Sequence, residues 1–242
     1  MSGGGPRSPS IKENAEAVKR RIELAAERAG RDPSGIKLVA VSKKKPAEDI
    51  LEAYGAGLTA FGENYVQELA EKMGSDVLRG LPGPGIEWHM IGHVQTNKVK
   101  NLIGKTALIH SLDSLRLAGE IQKQSERAGV TTDVLMEINV AREASKYGFF
   151  LEEAQKAAEE ISQYGNVRIC GIMASAPAVG SPEQNRPYFN ALNEFFLDMS
   201  RKRIHNTRMR VLSIGMSGDF EAAIEAGSTM VRIGTLLFGR RQ

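Results

Sequence analysis

The chain has a single cysteine, Cys170, among its 242 residues. No intrachain disulfide can form, and cysteine usage gives no support for a secreted, oxidising setting. Cys170 falls in the apolar run Val167 to Met173, where a thiol reads as a small core residue rather than a nucleophile. Long apolar runs are also lacking: no window approaches the roughly 18 residues of a membrane span. The N-terminus MSGGGPRSPS lacks the apolar stretch of a signal peptide and has Ser2 where myristoylation needs glycine. Residues 1–9 therefore read as a flexible tail and residues 10–242 as one domain, expected in the cytoplasm. An excess of one charge sign is missing as well. A formal net charge of +3 is too small to argue for nucleic acid, and Arg201, Lys202, Arg203, Arg208 and Arg210 read as a solvated helix end where cations suit the dipole. His89 and His93 in WHMIGH have no acidic partner, so no metal site is expected there. His110 and His205 carry no discernible signal.

What the chain does have is alternation. Ser10 and Glu13 form a capping box ahead of Ile11, Ala15, Val18, Ile22, Ala25 and Ala29, an amphipathic helix that Gly30 stops. Short apolar strands then alternate with helical stretches: strand 38–41, helix from Pro46 to Gly55, strand 59–61, helix 65–78, strand 86–91, helix 95–103, strand 107–111. Asp113 is the expected N-cap of a helix bearing Leu115, Ala118 and Ile121. Strand 133–140, helix 151–164, strand 167–173, a helix with the stripe Tyr188, Leu192, Phe195 and Met199, strand 210–214, helix 219–226 and strand 229–233 complete the series. About eight strand-then-helix units imply a parallel sheet with helical crossovers. At this length they fit an α/β fold, a single (β/α)8 TIM barrel preceded by an additional helix. An open doubly wound sheet has the same alternation. In both, ligands bind at the C-terminal ends of the strands.

Those ends collect a polar rim. Lys43 follows LVAV in line with Val39 and Val41. Partial desolvation and its neighbours Lys44 and Lys45 disfavour the charged form, which suits a Schiff-base amine; the bland alternative is a solvated basic run. LSIGMSGD places Ser213, Gly215 and Ser217 after the seventh strand, and RIGT places Gly234 and Thr235 after the eighth. Glycine-rich helix starts at these two positions form an anion cradle in barrels. Strand eight closes onto strand one, so an amine and a phosphate site become neighbours, and pyridoxal 5'-phosphate is a ligand that spans both. Arg232 would then face its pyridine nitrogen; a guanidinium keeps its protons, leaving the ring a weak electron sink. Lys146, in the loop after strand five, reads as a solvated lysine or a second amine near the aldehyde. His93 is expected to hydrogen-bond at its strand end.

With LVAVSKKKP, FGENYVQE, WHMIGHVQTNK, EASKYG and LSIGMSGDFEAAIEAGSTMVRIGTLLFG in view, the chain resembles the pyridoxal phosphate homeostasis protein family, which shares the fold of the alanine racemase N-terminal domain. The resemblance implies that Lys43 holds the cofactor as an internal aldimine and that Ser213, Gly234 and Thr235 bind its phosphate. It implies that Arg232 lies by the pyridine nitrogen, that Asn64 and His89 line the ring, and that Lys146 matches a lysine that helps hand the cofactor over. Two departures stand out: Lys44 replaces a common threonine, and Met173 to Pro177 differs from a more apolar pattern, so no site role is assigned there. The expected function is cofactor holding and delivery in intracellular vitamin B6 homeostasis, without substantial turnover, by a monomer or weak dimer that contacts apoenzymes transiently. An amino-acid racemase would need a second acid/base group from elsewhere; a Schiff-base aldolase on a phosphorylated substrate would use the same lysine and phosphate site.

Overall fold

The computed structural model describes residues 9–83, 85–177 and 181–239. The expected tail, apart from Pro9, lies outside them. Eight parallel strands close into a barrel in chain order: β1 (Lys37–Val41), β2 (Ala60–Glu63), β3 (Glu87–Met90), β4 (Leu108–Leu112), β5 (Thr132–Glu137), β6 (Val167–Met173), β7 (Thr207–Ser213) and β8 (Met230–Ile233). Closure decides between the two architectures that alternation allowed. β8 pairs with β1 in the register Val39 opposite Arg232, and β1 pairs with β2 with Val41 opposite Gly62. The strands carrying Arg232, Lys43 and Asn64 are therefore consecutive around the wall.

Helices cover the outside: α1 (Ile11–Arg28), α2 (Ala47–Gly55), α3 (Val66–Met73), α4 (Leu115–Ala128), α5 (Leu151–Ile161), α6 (Arg186–Arg201), α7 (Phe220–Glu225) and α8 (Thr235–Phe238). The capping box of α1 forms, Ser10 accepting from the Glu13 amide at 3.2 Å and Glu13 from the Ser10 amide at 2.6 Å. Helix α1 packs on α2, α7 and α8 and so covers the β8/β1 seam. Arg21 makes a two-pronged ion pair with Glu221 of α7, at 3.2 and 2.8 Å. No helix among the described residues is long and apolar enough to cross a membrane.

Four local expectations shift. The stretch 95–103 forms a 3-10 run, Thr96–Asn101, in which Val99 is the buried side chain; threonine and asparagine support an α-helix poorly. The helix from 65 ends at Gly74, and a separate 3-10 turn follows at Asp76–Leu78. On α6 the buried face is Phe189, Leu192, Phe196 and Met199, one position round from the expected stripe, because both sets satisfy helical spacing. Ser114, not Asp113, caps α4, its hydroxyl accepting from the Leu117 amide at 3.3 Å; Asp113 turns instead to His93.

Two tiers fill the interior. Val39, Ala60, Leu108, Leu135, Met173 and Met230 form an apolar plug with Cys170 and Val211 against it. Cys170 is thus a packing residue, and burial pushes its thiol up to about 11. Two residues further along β4, β5, β7 and β8 the inward positions turn polar, with His110, Glu137, Ser213 and Arg232, and His89 on β3 joins them. That change from apolar plug to polar tier forms the floor of the site. The outward residues, among them Ala40, Phe61, Ile109, Val134, Ile172 and Val231, join the main core under the helices. On β6 the register slips at Gly171 against both neighbours. Gly171 has φ +153°, and a Cβ there would lie 1.8 Å from the Val211 carbonyl oxygen. Gly171→Ala is expected to cost roughly 3 kcal/mol or more of folding stability in urea unfolding; a loss under about 1 kcal/mol would contradict a glycine-dependent bulge.

Candidate functional site

A cavity of about 290 Å³ opens at the C-terminal mouth of the barrel, lined by Lys43, Asn64, Arg232, Gly234 and Thr235 together with Val41, Lys45, Ile91, Ser175, Met216, Ser217, Gly218 and Gly239. Five of the nine residues expected at the site therefore share one space. Lys43 reaches it because β1 ends at Val41 and the chain turns sharply, with Lys45 N–H donating to the Ser42 carbonyl at 3.0 Å and Lys44 at φ +60°.

A buried network clamps that turn from behind. The Ser42 hydroxyl donates to Glu63 at 2.6 Å; the Lys72 amine donates to Glu63, Glu68 and the Ser42 carbonyl, each at 2.7 Å. The Lys44 amide donates to the same Glu68 carboxylate. Burial raises the Glu63 pKa, while Lys72 and Ser42 pull it back. This side of the site gave no signal in sequence, although Ser42, Glu63, Glu68 and Lys72 all lie in or beside the quoted motifs. The clamp also sorts the three lysines. Lys44 is exposed and lines a separate open groove of about 900 Å³ with Tyr65, Glu68 and Glu71. Lys45 touches the cavity, but its amine donates to the Phe238 carbonyl at 2.6 Å.

The floor centres on Arg232, which is 4% exposed. Its Nη1 donates to the Ser213 carbonyl and hydroxyl oxygens, both at 2.7 Å, and its Nη2 to the Ala174 carbonyl at 2.9 Å and the Ser175 hydroxyl at 3.3 Å. A guanidinium has five donors. Four are used, and Nε–H is the one with no hydrogen bond among the described residues. Burial lowers Arg232 to about 10, opposed by Glu137 and Asp219, which leaves it charged at neutral pH.

Four expected residues stand elsewhere. Ser213 is fully buried and supports Arg232 instead of lining the cavity. Gly215, at φ +92°, is a packing position: a Cβ there would meet that of Ala223 at 2.6 Å, and its carbonyl accepts from the Arg232 amide at 3.1 Å. His89 points into the barrel, its Nδ1 2.9 Å from Nε2 of His110. Lys146 lines an adjoining cavity of about 560 Å³ that shares Ser175, Met216 and Gly218 with the first; its amine pairs with Glu143 at 2.7 Å. His93 hydrogen-bonds Asp113 at 2.6 Å, as expected of a strand end, and stacks on Tyr147 at 3.7 Å. Ser175, given no role from sequence, both lines the cavity and accepts from Arg232. Ser217 joins Gly234, whose amide donates to the Ser217 hydroxyl at 3.3 Å. The backbone of Asn64 runs close against Gly92, where a Cβ would fall 2.4 Å from the Asn64 carbonyl oxygen.

Glu137 on β5 faces the same interior. Burial, then repulsion from Asp113, raises its pKa to about 7, and Arg232 counteracts this. A carboxyl whose folded pKa lies above its unfolded one contributes stability that is complete below the unfolded value and is lost as pH rises through the folded value. Glu137→Gln should therefore gain stability relative to the native chain between about pH 4.5 and pH 8, by about 2 to 3 kcal/mol. Urea midpoints across that window check this; a constant difference would show that Glu137 ionises normally.

The sequence matches the family described as alanine racemase, N-terminal domain, over residues 14–242. It is 46% identical over 230 residues to the pyridoxal phosphate homeostasis protein of Aquifex aeolicus, covering 95% of this chain and 98% of that one. A solved structure from Bifidobacterium adolescentis, titled an unknown protein, superposes with a TM-score of 0.88 at 32% identity, covering 94% of each chain. PipY of Synechococcus elongatus PCC7942, solved with PLP bound, gives a TM-score of 0.77 at 32% identity over 92% of this chain and 100% of that one. The chain belongs to the pyridoxal phosphate homeostasis protein family, within the group built on the alanine racemase N-terminal domain.

Proposed function

We propose that this chain binds pyridoxal 5'-phosphate reversibly, holds it through Lys43 as an internal aldimine, and releases it to apoenzymes in vitamin B6 homeostasis, without substantial turnover of its own. The observation that carries this reading is the convergence of the Lys43 turn and Arg232, on paired strands, upon one cavity. A ring bearing an aldehyde and a phosphate fits the residues present. Lys43 supplies the amine, and the one uncommitted donor of Arg232 suits an acceptor such as an unprotonated pyridine nitrogen. Ser217, Gly234 and Thr235 offer hydroxyls and backbone amides to an anion. The cavity is close to the lower end of the volumes that take small ligands, about 300 Å³.

When bound, the group supplies a carbonyl able to condense with amines and, beside a permanently charged guanidinium, only a weak electron sink. Arg232 holds its protons and orients the ring, Asn64 and Ile91 bound the opening, and the Ser42, Glu63 and Lys72 clamp keeps the amine aimed inward. Such an arrangement retains and hands over a cofactor. Lys146, whose amine pairs with Glu143 at the adjoining cavity, is the lysine proposed to meet it on the way out.

Titrating the purified protein with pyridoxal 5'-phosphate should produce a visible absorption band. Lys43→Ala should abolish that band, while Lys44→Ala and Lys45→Ala keep it. A band of native intensity in Lys43→Ala would rule out the assigned amine, and racemisation of a free amino acid at enzymatic rates would rule out the carrier role.

A further inference from the structure

Beneath the cavity lies a row of buried polar side chains that the holding of a cofactor does not by itself require. His89 on β3 and His110 on β4 meet edge to face, with ring centroids 5.1 Å apart and an interplanar angle of 71°. Nδ1 of His89 is 2.9 Å from Nε2 of His110, and Nδ1 of His110 is 3.2 Å from the Ser213 hydroxyl. That hydroxyl in turn accepts from Arg232 Nη1 at 2.7 Å. His110 is completely buried and His89 is 2% exposed. The row crosses the barrel from β3 to β8 and ends on Arg232, the arginine that lines the cavity among the described residues.

Its donor directions follow from that end. Arginine only donates, so the Ser213 oxygen is an acceptor toward Arg232 and its own hydrogen needs another acceptor. Nδ1 of His110 is that acceptor. A hydrogen on the same nitrogen would strand a buried hydroxyl without a partner, which is costly. Nε2 of His110 therefore carries the hydrogen and donates to Nδ1 of His89. His89 in turn carries its hydrogen on Nε2, a buried atom with no hydrogen-bond partner among the described residues, 3.7 Å from the Glu87 carboxylate, too far for a hydrogen bond but of attractive sign. Every hydrogen bond of the row points the same way, from Arg232 toward His89. Both rings are neutral in this arrangement, and burial lowers both pKa values. For His110 any charge on His89 and the charge of Arg232 act in the same direction, and for His89 the pull of Glu87 only partly offsets burial.

We propose that His110, backed by His89, is a positioning residue for Arg232. It takes the Ser213 hydroxyl hydrogen, so the Ser213 oxygen is reserved for Nη1 and the guanidinium is held with its uncommitted Nε–H available to an acceptor on the cavity's ligand. This rests on the proposed function, because the acceptor in question is the ring nitrogen of pyridoxal 5'-phosphate. The pair is distinct from filler: two apolar side chains of similar size would fill the same space and leave the Ser213 hydroxyl without an acceptor.

Two measurements test it. Nitrogen-detected NMR of the imidazoles in the ligand-free native protein at neutral pH should show both rings neutral with hydrogen on Nε2. A hydrogen on Nδ1 of His110 overturns the proposal, and this readout holds whether or not the protein binds the cofactor. In binding assays His110→Phe should weaken pyridoxal 5'-phosphate by about tenfold. It should leave the carbocyclic analogue, in which C–H replaces the ring nitrogen, within about twofold of native. His110→Gln, whose amide oxygen can accept from Ser213, should recover most of the lost affinity and serves if the phenylalanine variant fails to fold. Equal losses for both ligands, or no recovery in His110→Gln, would mean that the histidine acts only as packing. A native protein that binds neither ligand would sink the cofactor reading, with the NMR result still deciding the direction of the row.

Discussion

The pairing of β8 with β1 is the constraint on which the site depends. Val39 stands opposite Arg232, the two-residue alternation of the strand carries Val41 up the same inner wall, and the turn that follows β1 brings Lys43 to the cavity. Without closure, an amine near residue 43 and a guanidinium at 232 would lie at opposite edges of a sheet. With closure they are neighbours, and Asn64 on β2 completes the arc. Helix α1 covers this seam, and its ion pair to Glu221 and its contact from Asn14 to the Leu237 carbonyl at 3.0 Å tie it to α7 and α8. The additional N-terminal helix is thus part of what keeps the two halves of the site together.

Around that seam the chain buries charge in two places, for two purposes. Between barrel and helix, Lys72 gathers Glu63, Glu68 and the Ser42 carbonyl and fixes a turn. Losing one partner from such a group costs about 3 to 5 kcal/mol, because the others are left buried and unpaired. Inside the barrel, Arg232 is surrounded by acceptors rather than by a carboxylate in direct contact. Four hydrogen bonds to neutral acceptors hold it, with Glu137 and Asp219 as carboxyl groups that act on it at longer range. Rigidity in the floor and in the amine-bearing turn suits the proposed role of presenting one geometry to a cofactor and letting it go again.

How much of this was legible in the sequence follows from where each residue sits. Lys43, Asn64, Arg232, Gly234 and Thr235 lie at the ends of three consecutive strands, so alternation and barrel order were sufficient to bring them together. Ser175 and Met216 depend on the paths of two loops, which no periodicity encodes. His110 and Glu137 sit within strands whose inward face is known only once Leu108 and Leu135 are seen in the plug. His89 faces the interior, where its ring meets His110, and it is not among the residues that line the cavity. Ser213 and Gly215 were read as ligands because they follow a strand and precede a helix; the structure gives one to Arg232 and the other to the packing of α7. Charged residues buried by mutual pairing, as Glu63 and Lys72 are, look in sequence like any solvated helix or strand end.

The central claim is that one lysine of three, selected by the β1 turn, carries the cofactor. Borohydride reduction of the pyridoxal 5'-phosphate-loaded protein, followed by proteolysis and mass mapping, tests it most directly. The pyridoxyl mass should fall on Lys43 alone. A label on Lys44, Lys45 or Lys146 in its place, or no label on a protein that has bound the cofactor, would contradict the assignment.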